Sequence, residues 1–383
     1  MYQLSRYLYE LSEVKGNLIL ALLGKDNDQA LFWALEYYYS GFPCQVVNFV
    51  IQIYYDFYYV LNPTFEKYMF VQLKKVSLVN EYEELALFLK LIIDNLIHRP
   101  YTLDVYLLRN IGLQFDVIFD EIKDINSEIL SLLFEKDNYI YLSCILMQHP
   151  KFQESNQLEY LHGQIIDEMV KYIKINKKVK MTDTATIFKK CYKQEETLRR
   201  TIILAKTVNY YSLTKCVKMH RPVYIENNIE QRSKELLHYK TTYPTTLKDD
   251  AKYASNNQDF IGIFHLERFK KENEDFRHKY LNNWEFYAYN SPYWNNIFVL
   301  YGLHKDEVQQ KVIVEDEDED EDIHCEFYDD IHYFPDEESL ETQNKSIGII
   351  EKGCVKLFYE KYGIRNIIQI EEQYMEDLQY FVI

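Results

Sequence analysis

The chain has 383 residues, enough for a sizeable core divided into two or three subdomains or arranged as a repeat array. Ten Gly and eight Pro are too few for an all-β chain with many tight turns, so with 47% apolar residues a mostly α-helical protein is expected. The net charge of −17 hides an asymmetry: residues 171–221 carry fourteen Lys and Arg against three acids, while residues 315–341 carry fifteen acids and no base.

In chain order, Tyr2–Glu13 has helical spacing at Leu4, Tyr7, Leu8 and Leu11, and Asn17–Leu23 reads as a second short helix. The next unit, Lys25–Gly41, combines a cap (Asp26 or Asp28), an apolar face (Leu31, Ala34, Leu35, Tyr38) and a closing glycine. Pro43 opens a helix with Val46, Val47, Val50, Ile51 and Tyr54 on one stripe, and Asn62-Pro63 opens another through Phe65, Met69 and Leu73. Glu83–His98 is a helix stopped by Pro100; Thr102 caps a shorter one to Asn110, interrupted at Gly112. Ile118–Phe134 and Leu158–Ile175 follow, either side of Pro150.

Glu83–Leu91 echoes Gln29–Leu35 at an offset of 56, and Leu132–Asn138 echoes Leu22–Asn27 at an offset of 111, about twice 56. Stacked helical units of a HEAT-like α-solenoid would give such echoes, and so would chance similarity among Leu- and Tyr-rich helices. The expected organisation is an N-terminal helical array (1–176), a basic-to-mixed helical region (177–314), an acidic disordered loop (315–345) and a C-terminal helical segment (346–383).

In the middle region helices are expected from Thr182 or Thr184 through Tyr192, then over Glu195–Lys218, with irregular chain over 222–258. Helix resumes over Phe260–Tyr289 and again from Ser291-Pro292 to Tyr301, closed by Gly302. Eight consecutive acids, Glu315 to Asp322, repel one another too strongly for regular structure. A helix from Ile347 to Tyr362, a short strand Ile367–Ile370 and a final helix Met375–Val382 complete the chain.

Function is read from charge rather than from motifs. The chain contains no GxxxxGK[ST], GxGxxG, GxSxG, HExxH, HRD or EF-hand loop, and no cofactor is called for. Lys174, Lys177, Lys178, Lys180, Lys189, Lys190, Lys193, Arg199 and Arg200, interleaved with Tyr192, form a candidate nucleic-acid surface, for RNA more than DNA. A solvated helix face, or a surface docked on the acidic N-terminal region, would look the same. The acidic run Glu315, Asp316, Glu317, Asp318, Glu319, Asp320, Glu321 and Asp322 is a candidate partner-binding tether, a solubilising loop, or an internal mimic of nucleic acid.

Cys191, Cys216, His220 and His238 lack the paired knuckle spacing of a zinc site, and a buried Cys with exposed His is the plainer reading. His324, Cys325 and His332 beside the acidic run read as solvated loop residues rather than cation ligands. Trp33, Trp284, Trp294 and the Tyr37–Tyr39 and Tyr54–Tyr55 clusters predict aromatic core packing. Met1 leads straight into a mixed polar pattern and no apolar run reaches the roughly 18–20 residues that span a bilayer, so an intracellular, cytoplasmic protein with reduced thiols and no membrane partner is expected.

Ala30–Leu35 with Ser40-Gly41 and Asn62-Pro63 resembles a helical segment beyond the ATPase domain of clamp-loader-related AAA+ proteins. The likeness covers about residues 26–65, and without a Walker motif it does not carry over ATPase activity. Abundant Tyr, Phe, Asn, Ile and Lys, all with A/T-rich codons, make the whole chain similar in style to helical proteins of AT-rich giant DNA viruses, with host cytoplasm or the virion as the implied location. The leading expectation is a non-catalytic scaffold or adaptor for protein partners. The alternatives are an RNA-binding module in viral transcription, translation or packaging, and an enzyme with an unrecognised site.

Overall fold

The apolar segments of the first hundred residues fold into five helices: α1 (Leu11–Gly24), α2 (Asn27–Tyr39), α3 (Pro43–Ile53), α4 (Phe65–Val76) and α5 (Tyr82–Ile97). The computed structural model describes residues 3–76, 82–115, 138–148, 164, 196–214, 233–234, 236–237, 239, 258–265, 283–314, 320–331 and 352–383. Asp26 caps α2, its carboxylate accepting the Gln29 N–H at 3.1 Å and so satisfying a free donor of the first turn. Gly41 follows with φ +94°, and a Cβ there would stand 2.6 Å from Pro292 Cβ, so glycine is required for both conformation and close approach. Pro43 opens α3, which runs into a fully buried π-helical turn, Tyr54–Tyr58.

α5 packs against α1, α2, α3 and α4. In a one-dimensional stack each repeat touches only the neighbouring repeats; here the first four helices all pack on the fifth, and a HEAT-like arrangement is not confirmed. The echo between α2 and α5 has a packing cause. Ala30 and Ala86, Phe32 and Phe88, Trp33 and Leu89 are buried at equivalent steps of two helices that lie against each other. The second echo falls almost wholly outside the described residues.

The helix expected over Tyr2–Glu13 does not form. Leu4 and Glu10 pair as an antiparallel bridge around Leu8 at φ 64°, and α1 begins only at Leu11. Buried Glu36 explains the departure, accepting from Arg6 Nε at 2.7 Å and from the Tyr7 N–H at 3.0 Å. Those tertiary bonds outweigh a local helical pattern.

α6 (Asp104–Gln114), α7 (Tyr139–Gln148) and α8 (Glu196–Thr214) pack on one another, and α6 and α8 also on the π turn, within the same core. Gly112, expected to interrupt α6, stays inside it. A Cβ there would lie 2.5 Å from Ser143 Oγ and 2.7 Å from the Ser143 carbonyl oxygen, so the glycine is what admits α7. Of the helix expected over Phe260–Tyr289, the described ends show α9 (Gln258–Ile261) stopping at Ile261 and α10 (Trp284–Ala288) starting at Trp284.

A second, smaller core joins α10, α11 (Pro292–Leu300), the antiparallel pair β1 (Leu303–Asp306) and β2 (Lys311–Val314), and α12 (Asp320–Ile331), with Leu4 and Leu8 contributed by the N-terminal segment. The hairpin, in register from Leu303 opposite Val314 to Asp306 opposite Lys311, was not foreseen. α12 corrects the reading of 315–345 as one disordered loop. Acids at a helix start face its free N–H groups favourably, and Ile323, Phe327 and Tyr328 give the helix an apolar side against Trp284 and Phe298. Three bonds tie this unit to the first: Leu4 N–H to Ser291 Oγ (2.8 Å), Trp294 Nε1–H to the Ser5 carbonyl (3.1 Å) and Tyr293 N–H to the Ser40 carbonyl (3.3 Å).

At the C-terminus, α13 (Val355–Tyr362) and α14 (Glu372–Asp377) are shorter than the pattern predicts, and Ile367–Ile370 joins no strand. The cause is α6, which fastens this segment along its length. Asp104 Oδ1 accepts the N–H groups of Ile367 (3.0 Å) and Ile368 (2.9 Å), and Asn366 Oδ1 accepts that of Leu103 (2.8 Å). Asn110 Oδ1 accepts the Val382 N–H at 2.6 Å and Gln114 Nε2 donates to the Tyr380 carbonyl at 2.6 Å. Phe381 completes a parallel bridge with Phe264, so residues 378–383 run extended where a helix was expected.

Candidate anion-binding cleft

Several charged groups of the interior are tied to one another in ion pairs. Arg109 pairs with Asp56 through two bonds of 3.0 Å and donates a third, at 3.1 Å, to the Val382 carbonyl. Lys206 lies 3.2 Å from Glu66, which also accepts the Tyr55 hydroxyl at 2.7 Å. Arg6 pairs with Glu36 at 2.7 Å, and Lys90 with Asp94 at 3.2 Å one turn along α5. The first three pairs hold separate elements together, and all four are buried.

One group of cations is arranged otherwise. The C-terminal end of α1, the turn from α5 to α6 and the chain after α13 enclose a cleft of about 520 Å³, lined by Leu23, Lys25, His98, Arg99, Pro100, Tyr101, Tyr362, Ile364 and Arg365. Lys25 caps α1 in the left-handed conformation, φ 63°, where its own N–H closes onto the Ala21 and Leu22 carbonyls. That conformation aims the side chain at the end of α5. Its ammonium donates to the Arg99 carbonyl at 2.6 Å and lies 5.2 Å from the ring centres of both Tyr58 and Tyr101. The residue as a whole is exposed, yet burial of the ammonium, helped by the nearby Arg365 charge, lowers its pKa to about 8.

Arg365 and His98 are exposed at the rim. Arg99 accepts from the Lys25 ammonium through its carbonyl, and its guanidinium folds over Phe65 at 4.1 Å. Burial pushes the Tyr101 phenol up to about 12, with Arg365 opposing, and raises that of Tyr362. Both phenols therefore remain neutral donors at neutral pH. Among the described residues no carboxylate lines the cleft, and neither Lys25 nor Arg365 has an ion pair. Two cations that repel each other beside aromatic walls form a place where an anion relieves the repulsion.

No protein-family model, curated protein or solved structure matches the chain. The site is therefore judged from its own chemistry.

The residues singled out in the sequence are placed elsewhere. Lys174, Lys177, Lys178, Lys180, Lys189, Lys190, Tyr192 and Lys193 lie outside the described residues. Arg199 is half-buried on α8, and Arg200 is buried with Nη1 donating to the Leu146 carbonyl at 2.7 Å, which withdraws it from any exposed basic face. The described part of α8 is a core helix, with Ile202, Ile203, Leu204 and Val208 fully buried. Glu315, Asp316, Glu317, Asp318 and Glu319 are outside the described residues, and Asp320, Glu321 and Asp322 open α12.

Cys191, Cys216 and His220 also lie outside, and so do His238 and His332. Among the described residues no His, Cys, Asp and Glu cluster is arranged to hold a metal, and no helix is long and apolar enough to cross a membrane. Sequence reasoning missed Lys25 and Arg365. Gly24 offers itself as the helix end in the sequence, and only the structure shows Lys25 taking the left-handed position, φ 63°.

Proposed function

We propose that the protein is a non-catalytic helical scaffold that recognises an anionic group of a partner through the cleft between Lys25 and Arg365. The observation that carries this reading is the convergence on an open cleft of two cations that, among the described residues, have neither an ion pair nor a lining carboxylate. The cross-element ion pairs of the interior support the scaffold part, because their charges serve as ties between helices. With a net charge of −17, the chain repels polyanions at long range, so retention on an anionic matrix would report a local site.

The test is retention of the full chain on immobilised phosphopolymer at low salt, compared with Lys25→Gln, Arg365→Gln and the double variant. Stepwise loss, with wild-type melting temperatures, is expected. Equal retention of wild type and double variant overturns the proposal. The nucleic-acid alternative draws on the same cleft, since burial of Arg200 and Lys206 narrows the basic face that residues 171–221 can offer.

A further inference from the structure

The cleft is larger than a bare anion requires, and its walls differ in kind. Lys25 and Arg365 supply charge from α1 and from the chain after α13, while Pro100, Tyr101, Tyr362 and Ile364 supply apolar and aromatic surface. Ile364 is 83% exposed, a large apolar side chain held in water directly beside the charged Arg365. A volume of about 520 Å³ falls within the range of roughly 300–1,000 Å³ typical of small-molecule sites, in which a few polar groups orient a largely apolar contact.

Four features set the ligand's chemistry. The mutual repulsion of two cations selects a group carrying two negative charges within a few ångströms, as a phosphate monoester does. The neutral Tyr101 and Tyr362 phenols and the exposed His98 offer hydrogen bonds beside that group. The aromatic and apolar wall favours a planar body attached to the phosphate, since a base has a π-face that stacks without sequence readout. The chain's overall negative charge disfavours a long polyanion laid across the surface, so a single terminal phosphate fits better than an internal stretch of strand.

We infer that the cleft binds a nucleoside 5′-monophosphate, with the phosphate between Lys25 and Arg365 and the base on the Tyr101–Ile364 wall. This rests on reading the cleft as an anion site. The shared chemistry is available from two sources, a free mononucleotide or the 5′-phosphorylated end of a nucleic-acid strand. In either case Lys25 exchanges part of its bond to the Arg99 carbonyl for the phosphate.

Calorimetric titration of the full chain with AMP, UMP, adenosine, inorganic phosphate and phosphotyrosine tests the inference. Both mononucleotides should bind at least about tenfold more tightly than adenosine or phosphate, and Arg365→Gln, an exposed substitution, should weaken them by about tenfold or more. AMP should also protect the Lys25 amine from acylation at pH 8, read by peptide mass. A 5′-phosphorylated oligonucleotide binding more tightly than its 5′-hydroxyl counterpart and than AMP assigns the source to strand ends; the reverse order assigns it to free nucleotide. Inorganic phosphate or phosphotyrosine binding as well as AMP overturns the ligand class while leaving the anion reading intact. Absence of binding by every phosphate probe overturns both.

Discussion

Removing Arg109 exposes how the interior is electrostatically balanced. Arg109 and Asp56 have side chains only 2% and 3% exposed, and the guanidinium makes two 3.0 Å bonds to the carboxylate plus one of 3.1 Å to the Val382 carbonyl. Arg109→Met keeps the apolar stem but leaves Asp56 as a lone carboxylate in the core, with only Gln52 Nε2, at 3.5 Å, in reach among the described residues. Breaking a buried pair from one side destabilises by about 3–5 kcal/mol. Adding Asp56→Asn removes the orphaned charge, so the double variant should lose only the hydrogen bonds, about 1–2 kcal/mol, and be more stable than Arg109→Met alone.

The pH dependence provides an independent check. Burial already raises the Asp56 pKa despite Arg109, and the variant raises it further. A carboxyl with a raised folded-state pKa stabilises the fold fully below its ordinary value near 3.8, and that contribution is lost as pH rises through the folded value. The Arg109→Met deficit should therefore shrink on acidification. Urea unfolding at several pH values measures both effects. A deficit below 1 kcal/mol at pH 7, or a double variant weaker than the single one, would refute the reasoning.

Three further perturbations have definite outcomes. Asp104, raised to about 6 by burial against the opposing Ile367 and Ile368 N–H bonds, stabilises fully below about 3.8 and loses that contribution as pH rises through about 6, about 3 kcal/mol in all; Asp104→Asn should flatten the stability profile over pH 4–6, which thermal melts across that range will show. Gly112→Ala should destabilise by about 1–3 kcal/mol in urea unfolding, because its methyl would collide with the backbone and hydroxyl of Ser143. Trp294→Phe should lower the melting temperature by removing the bond to the buried Ser5 carbonyl, a loss of about 1–3 kcal/mol, with near-UV circular dichroism reporting the second core.

Where the sequence was legible, local chemistry and tertiary packing agreed. Asp26, Gly41 and Pro43 mark real boundaries, and the apolar stripe of α3 is buried as its spacing predicts. Where it failed, a distant polar partner intervened. Glu36 unwinds the expected N-terminal helix at Arg6 and Tyr7, and Asp104 takes the N–H groups that a strand over 367–370 would have used. Gly112 was read as a break because only the partner helix reveals why glycine stands inside α6. Nor could charge runs separate surface from core. Arg200 and Lys206 belong to a basic stretch by count, yet both are buried against a carbonyl and a carboxylate.

The cleft was the least legible feature, and its assembly explains why. Lys25 reaches it through a single left-handed residue, whereas Arg365 reaches it because α6 pins the adjacent chain: Asn366 bonds to Leu103, and Asp104 holds Ile367 and Ile368. The same α6 anchors residues 380–382 through Arg109, Asn110 and Gln114. The backbone beside the second cation is thus held by buried and part-buried polar bonds, although Asn366 Nδ2 itself has no partner among the described residues. A charged, desolvated Asp104 is an expensive way to secure a loop. Its bonds to Ile367 and Ile368, two and three residues beyond Arg365, give that expense a purpose, because they hold the chain that brings Arg365 to the cleft also lined by Lys25.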